Sequence, residues 1–407
     1  MSTISSPTGH QLPEEAIGVL SADGFIDPTE SAKAFVDDAT AIDHERVAEM
    51  YRLMANTRRI DEEGVNLQRQ GQLVLWTPSL GQEAAQAGAV TALEDRDWIF
   101  PTYREHVMAR GRGIPDENVF DFFRGAVHAG WKPSDYNMQP YTVVLAAQVP
   151  HAVGYGWGIA QQQRGWTDAR RAEEGRVAVA CFGDGASTEG DIHEAMVFAA
   201  SFDTPVVFFI QNNYWAISTP FEVQSKVPLF KRAQGYGFEG FAVDGNDPIA
   251  TAAVMDHAVD HARRGGGPVL VEAHTYRMGA HTTADDPTKY RTSEEESQYA
   301  QSDPMVRTEQ YLRRRFDYTD AFFDEIAAES EQLAVNLREK IVDAPDTISL
   351  REKFDLVYAE EHALVDAQAV AFDRWMEDED ASCPPYLMRS QPVPKSSPNT
   401  VVMTHPR

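Results

Sequence analysis

The chain has 407 residues and 43% hydrophobic content, enough for a large core in one α/β domain with extensions or in two domains. Its 63 acidic residues against 36 basic ones leave a formal charge of −27, which argues against nucleic acid and anionic membrane surfaces as partners. Cys181 and Cys383 form no CxxC pair, arguing against a disulfide framework or a zinc site; with no run of eighteen apolar residues and no signal-peptide pattern at Met1–Pro7, a cytoplasmic protein without a membrane span is expected.

In chain order, residues 1–43 are rich in Ser, Pro, Gly and Asp and read as a loose, partly extended arm. Over 44–69, Val47, Met50, Leu53, Met54, Ile60 and Val65 recur at helical spacing and predict an amphipathic helix; 81–93 predicts a second. The run 177–182 is apolar throughout and ends at Gly183, as a buried parallel strand does. A helix is expected over 191–202, with Glu189 and Asp191 capping it. A second buried strand follows over 206–210, then a helix over 249–264 stopped by Gly265-Gly266-Gly267-Pro268, then a third strand over 269–273. Strand and helix in alternation mean right-handed crossovers and a parallel sheet, whose ligands bind beyond the carboxyl ends of the strands. Charged helices are expected over 319–343 and 348–378, and a Pro-rich tail over 382–407. The expected division is therefore an arm (1–43), an α/β domain (44–345), and C-terminal helices with a tail (346–407).

Chemistry concentrates past the first two strands. Gly183-Asp184-Gly185-Ala186 follows one, and Gln211-Asn212-Asn213-Tyr214-Trp215 follows the next. The small residues permit close backbone approach to a ligand. Asp184 is a hard oxygen donor suited to Mg²⁺ or Ca²⁺, and Asn213, 29 positions on, offers an amide oxygen from the neighbouring strand end. Taken singly, a Gly-Asp-Gly is usually a turn and Asn-Asn a loop; the pairing and spacing make them specific. No Gly-x-Gly-x-x-Gly follows the first strand, which argues against a dinucleotide-binding reading.

Gly183-Asp184-Gly185, 26 residues, then Asn212-Asn213 resembles the thiamine-diphosphate motif. The flanks 211–220, 100–104, 243–247 and 276–282 are similar to segments of the alpha chains (E1 alpha) of 2-oxo acid dehydrogenases, over roughly residues 45–350. The resemblance implies an α/β thiamine-diphosphate-binding fold with a parallel central sheet flanked by helices. It also implies Mg²⁺ ligation by Asp184, Asn213 and the Trp215 carbonyl. Tyr103, Arg104, Gly183, Gly185, Ala186 and Asn213 would bind the coenzyme, and Leu145 would lie beside its aminopyrimidine ring. His281 would sit at the mouth of the site as a catalytic and phosphate-contacting group. Ala147 stands where relatives often carry a hydroxyl residue, so no structural potassium ion is expected. Thr282 and Thr292 stand where animal relatives carry regulatory serines, so kinase control is not expected.

The resemblance further implies that this chain is half an active site. No carboxylate for the aminopyrimidine is evident, and the expected partner is an E1 beta subunit in an α₂β₂ heterotetramer. The acyl unit of a small 2-oxo acid would pass to the lipoyl group of an E2 acyltransferase. Residues 81–84 and 97–104 resemble bacterial branched-chain (3-methyl-2-oxobutanoate) E1 alpha chains, with pyruvate or acetoin enzymes as alternatives. A cofactor-free scaffold subunit of the same fold is the remaining alternative.

Overall fold

The apolar runs of the middle of the chain form five parallel strands: β1 (Trp98–Phe100), β2 (Ala178–Gly183), β3 (Val206–Asn212), β4 (Glu239–Asp244) and β5 (Val269–His274), in the order β1-β2-β3-β5-β4. The computed structural model describes residues 12–125, 129–344, 354, 357–358 and 360–379. Side chains of the central strands alternate between two cores. Val179, Cys181, Val207 and Phe209 face one, with α1 (His44–Arg69), α2 (Glu83–Thr91) and α6 (Pro248–Arg263). Ala180, Phe182, Phe208 and Ile210 face the other, with α4 (Gln148–Gln162) and α5 (Gly190–Ser201). Burial on both faces is why these strands read as unbroken apolar runs.

Helix α3 (His106–Gly111) follows β1, and the helices after the sheet include α7 (Ser293–Ala300), α8 (Pro304–Phe316) and α9 (Asp320–Asp343). α9 lies against α1, where Ser330 Oγ donates to Asn56 Oδ1 at 2.6 Å. No helix among the described residues is long and apolar enough to cross a membrane.

The helices and strands expected over 44–343 lie within a few residues of their observed bounds. β1, β4, α3, α4 and α7 were not anticipated. β1 has three residues, β4 is an edge strand that contains Gly240, and α4 carries Pro150 and three glycines that mask its periodicity. Glu189 occupies the cap position of α5 without a side-chain capping bond, so the expected cap there is corrected. Of the helix expected over 348–378, Phe354 and α10 (Ala363–Glu379) are helical; residues 357–358 and 360–362 are not, and Glu360 and Glu361 precede the α10 start, where its dipole favours negative charge. The Pro-rich tail and Cys383 lie outside the described residues.

The loose arm is a further correction for residues 12–43. Ile17 forms a parallel bridge to Val243 at the sheet edge, and the Val19 and Leu20 N–H groups donate to Asp247 Oδ2 at 2.7 and 2.6 Å. Polar composition concealed Ala16-Ile17-Gly18-Val19-Leu20, whose apolar side chains are all buried.

One glycine has a clear packing reason. Gly64 lies mid-helix in α1, and a Cβ there would overlap the indole of Trp76. That ring is buried, stacks on His106 at 4.7 Å and donates to Asp61 Oδ1 at 3.1 Å. Gly64→Ala should gain up to about 1 kcal/mol of helix propensity yet lose about 1–3 kcal/mol to overpacking. Thermal unfolding should therefore show a net loss; a raised melting temperature would refute the packing argument.

Candidate active site

β2, β3, β5 and β4 end at one edge: Gly183 pairs with Gln211, Asn212 with His274, and Asp244 with His274. The turns leaving that edge bring the predicted residues together. Asp184 follows β2 directly and is buried at 2% exposure. Its carboxylate accepts from the Asn213 backbone and, at 2.9 Å, from Gln224 Nε2. Burial, opposed chiefly by the Gln224 bond, pushes its pKa up to about 6. Asn213 donates through Nδ2 to Gln82 Oε1 at 2.8 Å, and its Oδ1 accepts the Trp215 N–H at 3.2 Å. Tyr214 between them has φ of 66°, which reverses the chain into the hairpin formed by Trp215–Ala216 and Thr219–Pro220. Gly185 lets that hairpin approach, since a Cβ there would lie 2.8 Å from the Ala216 methyl.

Two guanidinium groups line the same edge, and one of them, Arg277, acts on the Asp184 carboxylate. Arg104 is 5% exposed; it donates to the Pro78 carbonyl, and to the His281 carbonyl at 2.8 Å. Arg277 is 1% exposed and donates to the Trp215 carbonyl at 3.1 Å and the Ile217 carbonyl at 2.7 Å. Among the described residues neither has a carboxylate within ion-pair distance, and Arg277 Nε is buried without a partner. Burial lowers the pKa of both, and that of Arg277, with repulsion from Arg104, comes down to about 10.

His281 lies where the two cations converge. Its Nδ1 is 3.3 Å from Arg104 Nη2 and 3.3 Å from Arg277 Nη1. Facing two donors, Nδ1 is the acceptor nitrogen, which leaves the ring proton on Nε2. Burial first, then Arg104 and Arg277, lowers its pKa to about 3, so the imidazole is neutral at pH 7. Asp285 Oδ2 holds its backbone N–H at 2.8 Å, and Tyr103 packs edge-on at 6.2 Å.

The remaining sequence candidates are more peripheral. Ala186 is buried in the turn after Asp184. Leu145 is 46% exposed, on the segment entering α4 that Gln148 ties to the Cys181 carbonyl of β2 at 2.6 Å. Trp215 is buried, its carbonyl facing Arg277. Thr292 caps α7, accepting from the Glu295 N–H. In the sequence Arg277 stands out only as part of the 276–282 segment, and Gln82, Gln86, Glu105, Gln211 and Gln224 carry no evident role. Polar residues in apolar strand or helix context were the available signal, and only the fold shows that they meet.

Two buried guanidiniums without an ion-paired carboxylate, at the same edge as the buried Asp184, suit a polyanion carrying a divalent cation. No cluster of three His, Cys, Asp or Glu side chains suited to a metal occurs among the described residues. The single carboxylate, an amide oxygen and a backbone carbonyl form an incomplete shell that phosphate oxygens would complete. Thiamine diphosphate with Mg²⁺ fits this donor set.

A parallel α/β subunit with an anion-and-cation crevice at the carboxyl edge of its sheet is thus defined. The chain belongs to the dehydrogenase E1 component family, matched over residues 51–346, a family that in general depends on thiamine diphosphate. It is similar to the 3-methyl-2-oxobutanoate dehydrogenase subunit alpha of Mycobacterium tuberculosis, with 45% identity over 312 residues, 76% of this chain and 82% of that protein. Similarity extends to pyruvate dehydrogenase E1 component subunits alpha. That of Acholeplasma laidlawii is 36% identical over 78% of this chain and 89% of its own length. That of Bacillus subtilis is 37% identical over 67% and 71%.

Proposed function

We propose that this chain is the alpha subunit of a branched-chain 2-oxo acid dehydrogenase E1, acting on 3-methyl-2-oxobutanoate and its like. In this reading residues 44–345 carry thiamine diphosphate and Mg²⁺. Asp184, Asn213 and the Trp215 carbonyl hold the metal. Tyr103, Arg104, His281 and the backbone from Gly183 through Gly185 and Ala186 hold the diphosphate, and Leu145 lies beside the aminopyrimidine. The observation that carries it is the pair of buried guanidiniums without an ion-paired carboxylate, converging on His281, together with the buried carboxylate of Asp184 at the same sheet edge. The bound coenzyme supplies the electron sink for decarboxylation of the 2-oxo acid. The protein's own part is electrostatic and positional. Arg104 offers a planar fork to phosphate oxygens, and the tautomer of His281 leaves an Nε2 proton for donation to an anion at the mouth of the site. Mg²⁺ would anchor phosphate rather than polarise substrate.

Relatives named as alpha subunits support a beta-subunit partner, which would bring the glutamate that activates the aminopyrimidine. The reading includes an α₂β₂ assembly in the cytoplasm that hands its acyl unit to the lipoyl group of an E2 acyltransferase. Co-expression with a beta chain, followed by assay with 3-methyl-2-oxobutanoate, pyruvate and acetoin, tests it. Turnover is expected only in the complex, with kcat/KM highest for 3-methyl-2-oxobutanoate. Preference for pyruvate would replace the branched-chain assignment, and full turnover by this chain alone would overturn the split site.

A further inference from the structure

Behind Asn213 runs a chain of buried side-chain amides whose direction is set by groups that cannot reverse. Glu105, 1% exposed, ends it. Its Oε2 accepts from Thr102 Oγ1 at 2.7 Å and from the Arg104 N–H at 3.3 Å, and its Oε1 accepts from Gln211 Nε2 at 2.7 Å. Burial raises the Glu105 pKa, so its charge does not by itself orient Gln211; the Gln211 amide gives its NH₂ to Glu105 and turns its oxygen toward Gln86, whose own amide is held by backbone groups at both ends. That oxygen receives Gln82 Nε2 at 3.1 Å and Gln86 Nε2 at 2.9 Å. Gln86 is itself fixed by backbone, taking the Val107 N–H at 3.0 Å on its oxygen and giving its NH₂ to the Arg104 carbonyl at 2.9 Å. With its NH₂ committed to Gln211, Gln82 has only its oxygen left for Asn213, whose Nδ2 donates to it at 2.8 Å. The Asn213 amide can then present only Oδ1 on its other side, where the Trp215 N–H also approaches at 3.2 Å.

An asparagine binds a cation only through its oxygen, and its two orientations are nearly equal in shape. We propose that Gln82 is a positioning residue: by accepting the Asn213 NH₂ it holds that amide in the one orientation that can ligate a cation. It is the last link of a polar relay, Glu105–Gln211–Gln82–Asn213, anchored on α2 and the loop after β1. Because Gln86 in the same relay binds the Arg104 carbonyl, the relay joins the backbone of the phosphate-facing arginine to the side chain of the metal-facing asparagine. Buried networks of this kind give orientation when every member is satisfied. The inference rests on the reading that Asp184 and Asn213 bind Mg²⁺.

The test uses the assembled α–β complex and Mg²⁺ titrated against thiamine diphosphate, with coenzyme binding read by calorimetry. Gln82→Met keeps the bulk and removes both hydrogen bonds; it should raise the Mg²⁺ half-saturation about tenfold, the cost of leaving a buried amide unpartnered. Asn213→Asp supplies the discriminating background. An aspartate needs no orientation, and it sets an acceptor against the Gln82 oxygen, so there Gln82→Met should be neutral or should improve Mg²⁺ affinity. A loss confined to the Asn213 background is not expected of a residue that merely packs. Gln82→Asn, too short to span both neighbours, replaces Gln82→Met if that variant fails to assemble, and the same loss is expected. Half-saturation within twofold of the parent, or an equal loss in both backgrounds, overturns the relay. Asp184→Ala in the same titration separates the two levels: coenzyme affinity unchanged by Asp184→Ala defeats the metal reading itself.

Discussion

Asp184→Ala is expected to lower kcat/KM of the reconstituted α–β enzyme by about three orders of magnitude or more, equivalent to about 4 kcal/mol. Asp184 is the one carboxylate of the proposed metal shell, and Asn213 with the Trp215 carbonyl leaves the cation without a protein charge to balance it. The same change should not weaken the coenzyme-free subunit. Burial has lifted the Asp184 pKa from 3.8 to about 6. The folded state therefore favours the protonated acid, and that contribution is present at low pH and lost as pH rises through 6. Alanine removes a penalty that is fully felt above pH 6. Relative to the parent, the variant should melt at the same or a higher temperature at pH 8 and lose that advantage at pH 4. Loss of activity with retained stability identifies a ligand; equal loss of both would identify a structural residue.

Arg104→Met is expected to weaken thiamine diphosphate binding by about two orders of magnitude. A buried guanidinium can make short, charge-assisted and bidentate bonds to phosphate oxygens, and methionine keeps only the stem. The substitution also has an electrostatic signature at a neighbour. His281 owes its pKa of about 3 first to burial and then to Arg104, whose Nη2 lies 3.3 Å from Nδ1. Removing that positive charge should raise the His281 pKa while burial keeps it below the ordinary 6.5. Following the imidazole proton resonance of His281 against pH in coenzyme-free protein would measure this. If the resonance titrates unchanged, the guanidinium does not act on the ring; if coenzyme affinity is unchanged, Arg104 is not a phosphate ligand.

Much of the fold was legible because it follows from burial alone. β2, β3 and β5 are buried on both faces, and their unbroken apolar runs announce it. α1 shows a helical repeat because one stripe of it, from Val47 to Leu67, is buried. β4 escaped notice because an edge strand with Gly240 and acids at its ends has no such signature. The N-terminal segment was misjudged because its order comes from Asp247, more than two hundred positions away.

Asp184 and Asn213 could be read together because a strand–helix–strand unit brings successive strand ends to one edge, so that spacing along the chain encodes proximity. That much the amino-acid order determines by itself, along with the parallel sheet and the small residues around the crevice. It does not encode how Arg277 and Arg104, 173 positions apart, converge on His281, nor which way the amides of Gln82 and Gln211 face. Those depend on packing among four separate segments. Charge repulsion and hydrogen-bond direction act through space over a few ångströms, so only the assembled fold decides them.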